Sequence, residues 1–354
     1  MTTRLSLALL VAASALRAQA PERFPLPGDA VAVYNLAGVL RVEAGSGADV
    51  IVELTRGGRD AAKLKIETGA LRDRNALRVI YPDDEIYYAG EGGYGNSTLE
   101  VRDDGTFGDD GDHHRGGRFF GGGHRVRISS RGDGLDAHAD LRVLVPAGKR
   151  VAVHLAVGRA TISNVNGTLF VDVSSANVSA TGTKGSLTID AGSGNVDVSD
   201  AQGDVNLDTG SGDVRITGVT GGNVSLDTGS GNATGERIQA DVLSVDTGSG
   251  DVEFGTVSSP DVKIDTGSGN VRLSLDAKLT DLDVDTGSGD VTLTVAPTIG
   301  GLIYIDTGSG GIDLGGLTVQ VTKLEKDHVE GRIGTGTGHY KIETGSGEVR
   351  LVKS

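Results

Sequence analysis

Val205-Asn206-Leu207-Asp208-Thr209-Gly210-Ser211-Gly212-Asp213-Val214-Arg215-Ile216 contains the whole logic of this chain. Val205 and Leu207 alternate with polar residues, as do Val214 and Ile216, which is the two-residue period of a strand with one buried face. Thr-Gly-Ser-Gly sits between the two short strands, and its glycines predict a sharp corner with positive φ. Asp-Thr-Gly-Ser-Gly then recurs from Asp208, Asp227, Asp246, Asp265, Asp285 and Asp306, with a near-copy at Asp190 and an acidic variant at Glu343. From Asp190 to Asp306 the period lengthens slowly from coil to coil, and the last gap, to Glu343, is two periods wide. A fixed short period marks a solenoid, in which each repeat is one coil stacked on the next.

A helix cannot carry this pattern, because a glycine pair in every repeat would cost it roughly 2 kcal/mol. The fold class predicted is all-β: a parallel β-helix (β-solenoid) filled by small aliphatic side chains. Asp172 to Val178 reads as a decayed copy one period before Asp190, and His154-Leu155-Ala156-Val157 lies one period earlier still. A weaker apolar position at Val219, Ile238 and Val257 suggests a third, shorter face. With one degenerate copy placed near Leu324 in the long last gap, the reading is about eleven coils of 18–21 residues, a rod of roughly 50 Å at the ~4.8 Å strand spacing. Leu207, Leu226, Val245 and Ile264 are expected to stack inside it.

These units, entered through Val145-Pro146-Ala147-Gly148 and closed by Gly345-Ser346-Gly347-Glu348-Val349-Arg350-Leu351, resemble the bacterial putative-adhesin family of β-solenoids. The resemblance covers roughly residues 30–354 and is strongest from 146 onward. It implies the β-solenoid fold and an adhesin-like role. That family is itself a domain of unknown function, so no functional residues carry over.

Met1–Ala20 reads as a secretory signal: Arg4 supplies the charge, Leu5 to Leu16 the apolar stretch and Ala18-Gln19-Ala20 the cleavage site. The domain reading is therefore 1–20 signal peptide, 21–145 β-rich N-terminal cap and 146–354 solenoid. Export to the periplasm, cell surface or medium follows, with no transmembrane segment after signal removal. There is no cysteine, which excludes a lipoprotein anchor and a disulfide framework. Losing Arg4 and Arg17 takes the net charge from −15 to −17, which disfavours nucleic acid and anionic lipid as partners.

Within the cap, residues 83–123 change composition, clustering tyrosine, phenylalanine, glycine and aspartate. They read as a disordered insertion. A metal-binding reading rests on Asp109-Asp110-Gly111-Asp112-His113-His114, where nothing fixes ligand geometry.

Asp-Thr-Gly-Ser also matches the signature of pepsin-like aspartic proteases, which need two such aspartates sharing a proton. Six full copies at coil spacing stack along one edge instead, and the match is coincidental. The structural role read for the aspartates is to accept backbone N–H groups across their own turns. Stacked carboxylates at ~4.8 Å would repel by roughly 0.9 kcal/mol per pair in a water-like dielectric, and a bound cation would offset this. Asp190, Asp208, Asp227, Asp246, Asp265, Asp285 and Asp306 thus form a candidate cation ladder, with weak Ca2+ binding the ion expected and no other cofactor. The position after the second glycine alternates Asn195, Asp213, Asn232, Asp251, Asn270 and Asp290, which spaces its charges two coils apart.

The function read from this monotony is an exported, non-catalytic adhesin or cell-envelope scaffold and binding protein, with surface glycans or envelope proteins as partners. The alternative is a carbohydrate-active parallel β-helix enzyme, which would need special residues breaking the repeat inside a groove.

Overall fold

The computed structural model describes residues 20–90, 96–108 and 122–354. About two thirds of these residues are in strands. No helix among them is long and apolar enough to cross a membrane.

The period sets the register. Leu207 pairs in parallel with Leu226, Leu226 with Val245, and Val245 with Ile264. All four side chains are buried, as are Val214, Ala233 and Val252 on the second face. Val219, Ile238 and Val257 stack as a third buried line over three coils, after which the register shifts. The alternation explains why this arrangement is unique: a slip of one residue would put every aliphatic side chain into water. The molecule is a β-solenoid, as its period predicts.

Gly194 and Gly212 have the positive φ expected of a corner, but at later corners glycine is required for a different reason. A Cβ at Gly269 would stand 1.7 Å from the carbonyl oxygen of Gly250 in the coil below, and one at Gly289 would stand 1.8 Å from that of Gly269. Neither residue has a left-handed φ. Close approach of stacked backbones, rather than positive φ, excludes a side chain there.

The order of coils in space departs from the order in sequence at the C-terminal end. Asp281–Thr286 pairs in parallel with Gly338–Thr344, not with Gly301–Asp306. Gly301–Asp306 instead pairs with the other side of Gly338–Thr344. On the second face Val349–Lys353 pairs with both Val291–Val295 and Ile312–Asp313. The final coil is therefore inserted between two earlier ones. The degenerate copy expected near Leu324 is not a coil. Val319–Leu324 and His328–Ile333 form an antiparallel hairpin that closes the end against Gly301–Asp306, because this stretch has no Gly-Ser-Gly corner to turn a coil.

At the other end the stack starts inside the stretch read as cap. Ala30–Ala44 pairs in parallel with Lys149–Ser163, from Ala30 opposite Arg150 to Glu43 opposite Ser163. Ala30–Ala44 takes the place in the count that Leu324 was expected to fill, so eleven coils stand among the described residues. Residues 45–148 are thus an excursion between the first two coils. Their strands Val50–Gly57, His138–Val145 and Arg74–Ile80 cover the end of the rod.

The expectation of disorder across 83–123 is corrected for the described part. Asn96–Arg102, Gly123–Ser129, Glu85–Tyr87 and Leu135–Asp136 form a separate four-stranded sheet. Ile86, Tyr88, Val101, Phe107, Val126 and Ile128 are buried, a core that the glycine- and aspartate-rich average conceals. Residues 91–95 and 109–121, including Asp109 to His114, lie outside the described residues.

Candidate functional site: an acidic ladder closed by histidines

The expected aspartates stand in one column. Asp190, Asp208, Asp227, Asp246, Asp265 and Asp285 are register partners of their neighbours, one strand spacing (~4.8 Å) apart. Glu343 intervenes between Asp285 and Asp306 through the inserted coil. Asp172 extends the column beyond Asp190. The ladder therefore contains nine carboxylates: the seven expected, plus Asp172 and Glu343.

A histidine terminates it at each end. His154 is the register partner of Asp172, and its Nδ1 lies 3.0 Å from the Asp172 carboxylate, with both residues buried. The His154 ring stacks on Tyr34 at 4.2 Å, with 6° between the planes. The described part of the excursion reaches this pair, since a Cβ on Gly108 would stand 1.8 Å from Asp172 Oδ2. At the other end His328 Nδ1 lies 3.1 Å from Asp306 and its Nε2 lies 2.8 Å from Glu330. Sequence spacing carried the first histidine, one period before Asp172. Nothing in the spacing marked the second, which arrives on an antiparallel strand.

The electrostatics differ between middle and end. Burial, then the neighbouring Asp208, push the carboxyl of Asp227 above its ordinary range. Asp246 is raised by burial and then by Asp265 and Asp227, and Asp285 by burial and then by Asp265 and Glu343. Asp306 is lowered, chiefly by its hydrogen bond with His328. His328 is raised, first by Glu330 and next by Asp306. Mid-ladder carboxylates repel while the terminal one is neutralised.

At three corners the turn role assigned to the aspartates belongs to the threonines beside them. Thr266, Thr286 and Thr344 are buried, and each accepts the N–H of the second glycine of its own corner at 3.1 Å. Each also donates to a glycine carbonyl one coil away, at 3.2, 3.0 and 2.9 Å. Asp306 keeps the expected local turn bond, accepting Gly308 N–H at 3.1 Å. Thr228 and Thr247 make the same donation to a glycine carbonyl one coil away, at 3.4 and 3.2 Å.

A second ladder runs beside the first. The side-chain oxygen of Asn195 accepts the backbone N–H of Asp213 at 3.1 Å, Asp213 that of Asn232 at 3.0 Å, and Asn232 that of Asp251 at 3.0 Å. The relay continues through Asn270 and Asp290 to Glu348. Either residue type supplies the oxygen, so their alternation leaves the bonds to backbone N–H constant while halving the charge, and Asn270 adds a donation from Nδ2 to Asp251 at 3.1 Å.

Chemically, one carboxylate per coil on a straight edge offers an ion two neighbours and no cage. Among the described residues, no three His, Cys, Asp or Glu side chains gather around a point where they could hold a metal ion.

Residues 164–352 match the Toastrack DUF4097 family, a domain family of unknown function. A solved structure from Clostridium sporogenes ATCC 15579, described as a "putative cell adhesion protein", is similar over 94% of this chain and 100% of its own, at 9% identity with a TM-score of 0.19. No curated protein matches. The family match spans more than half of the chain, from the third coil of the stack through the inserted final one. The chain belongs to the Toastrack DUF4097 family.

Proposed function

We propose that this protein is an exported, non-catalytic binding or scaffold rod of the cell envelope, adhesin-like in role. The observation that carries the reading is the unbroken register of the two polar ladders, which gives the rod one repeated surface along its length. A surface that repeats every coil suits attachment or spacing. Catalysis needs a few groups converging on one reacting atom. The secretory reading of Met1–Ala20 supports export, and the acidic charge favours a soluble rod that avoids nucleic acid.

The carbohydrate-active alternative would place its acids where the repeat is broken, near Tyr304. The carboxylates there stand beside basic groups: Lys341 with Glu343 and Asp283, and His328 with Glu330. Such pairing disfavours a protonated acid opposite a free base.

Cell fractionation with N-terminal sequencing of the recovered protein tests the reading. The expected result is a processed chain, lacking the leader, in the envelope or medium. Full-length protein confined to the cytoplasm would contradict it.

A further inference from the structure

Along most of the rod the outward side chains are small or charged, as at Ser225, Ser244 and Lys263. At the C-terminal end that row changes character. Tyr304 occupies the same position, next to Lys341 of the inserted coil. Leu302, on the same strand, is 47% exposed. With Thr322 and Glu330 of the closing hairpin they line a trough of about 580 Å³. It reaches back across the inserted coil to Asp281 and Asp261. This volume falls within the ~300–1,000 Å³ typical of small-ligand sites.

We propose that this trough binds an uncharged oligosaccharide, a proposal that rests on reading the rod as a binding element. Three features select that ligand. Four of the five lining carboxylates stand beside a basic side chain: Asp283 and Glu343 beside Lys341, Asp281 beside His339, and Glu330 beside His328. The walls keep a net negative charge, since one lysine serves two of these carboxylates and a histidine is charged only when protonated, so they offer acceptors to hydroxyl groups and disfavour an anionic ligand. Second, with Leu282, Ile303 and Tyr340 buried, the accessible apolar surface is that of Leu302 and the half-buried Tyr304 ring, and an aromatic body with a polar rim suits a sugar's apolar face and hydroxyl edge. Third, the strands of the floor are paired on both sides, so their backbones cannot accept an added peptide strand. The trough crosses from Asp261 to the closing hairpin, five strand spacings or roughly 24 Å, which suits a linear chain of sugars.

The test is a glycan array probed with the full chain, carrying neutral linear tetra- to hexamers of glucose, galactose, mannose and N-acetylglucosamine beside sialylated and sulfated glycans. Binding to at least one neutral series is expected. Tyr304→Ala and Leu302→Asn should each weaken it at least about tenfold. The mid-rod Ser225→Ala should leave it unchanged. Leu302 is exposed, so Leu302→Asn keeps the test valid if Tyr304→Ala disturbs the hairpin. Binding that survives both trough variants would overturn this site while leaving a binding rod. Binding only to charged glycans, or to none, would overturn the inference without touching the fractionation result. Self-association in sedimentation that Leu302→Asn abolishes would assign the trough to a second copy of the chain instead.

Discussion

His328 closes the acidic ladder by placing Nδ1 3.1 Å from the carboxylate of Asp306, from a strand that runs against the direction of every coil below it. The contact joins the hairpin to the stack. It sets the electrostatic character of that end, where the hydrogen bond with the imidazole holds the last carboxyl below its ordinary range.

This contact predicts a bounded pH window. The raised imidazole contributes stability that is fully present below its ordinary 6.5 and is lost as pH rises through its folded value. The lowered Asp306 contributes stability present above its ordinary 3.8 and lost as pH falls through its folded value. Hydrogen exchange across residues 319–333 should therefore be faster in His328→Gln than in the parent, most clearly between pH 3.8 and 6.5. A gap that widened at alkaline pH would contradict the assignment.

The middle of the ladder has the opposite sign. Because the folded carboxyl of Asp246 is raised, the native state binds more protons than the unfolded chain, and stability declines as pH rises from 3.8 through the folded value. Asp246→Asn should stabilise the protein at pH 7 by a few tenths of a kcal/mol, small because the group is exposed and screened. The gain should vanish at pH 3. Equal melting temperatures at pH 7 in low salt would remove the repulsion from the account.

The second ladder separates charge from hydrogen bonding. Asn232→Asp with Asn270→Asp keeps every acceptor oxygen in place, gives up the Asn270 Nδ2 donation to Asp251 and creates five consecutive acidic positions from Asp213 to Asp290. The melting temperature should fall at low ionic strength and recover with salt or millimolar calcium. Asn232→Ala instead removes the acceptor for Asp251 N–H, and salt should not rescue it. Identical salt responses of the two variants would show that the alternation has no electrostatic role.

Corner packing predicts a contrast between two glycines. Gly269→Ala forces a methyl group to 1.7 Å from Gly250 O and should cost about 1–3 kcal/mol in chemical denaturation. Gly311 has nothing within 4 Å and no left-handed φ, so Gly311→Ala should be neutral or slightly stabilising. A tolerated alanine at 269 would mean the coils can separate locally.

Much of this was legible because a solenoid writes its register directly into its period. Leu207, Leu226 and Val245 could be placed by counting, as could the column from Asp190 to Asp285. Counting fails where the coils become interchangeable. Asp285 can stack as well on Asp306 as on Glu343, since both present an acidic residue before Thr-Gly-Ser-Gly, and only the connection through the hairpin selects Glu343. The threonine role was hidden for a similar reason: Asp and Thr are adjacent in all six full copies, and the pattern cannot say which one faces the corner. In the excursion, Ile86, Val101 and Phe107 form a core through pairings far apart in sequence, which composition averages away.

The inserted coil changes what a cut near the end of the chain would do. In an ordinary repeat array, stability is a sum over neighbours, and trimming one end removes an end unit. Here a nick between Gly334 and Thr337 would release an inner rung, bounded on one side by Asp281–Thr286 and on the other by Gly301–Asp306. The outermost coil and its hairpin would then lose their seat, although their own sequence was intact. Residues 338–353 act as the keystone of that end: placed after the stones on either side, they are what holds those stones apart and in line.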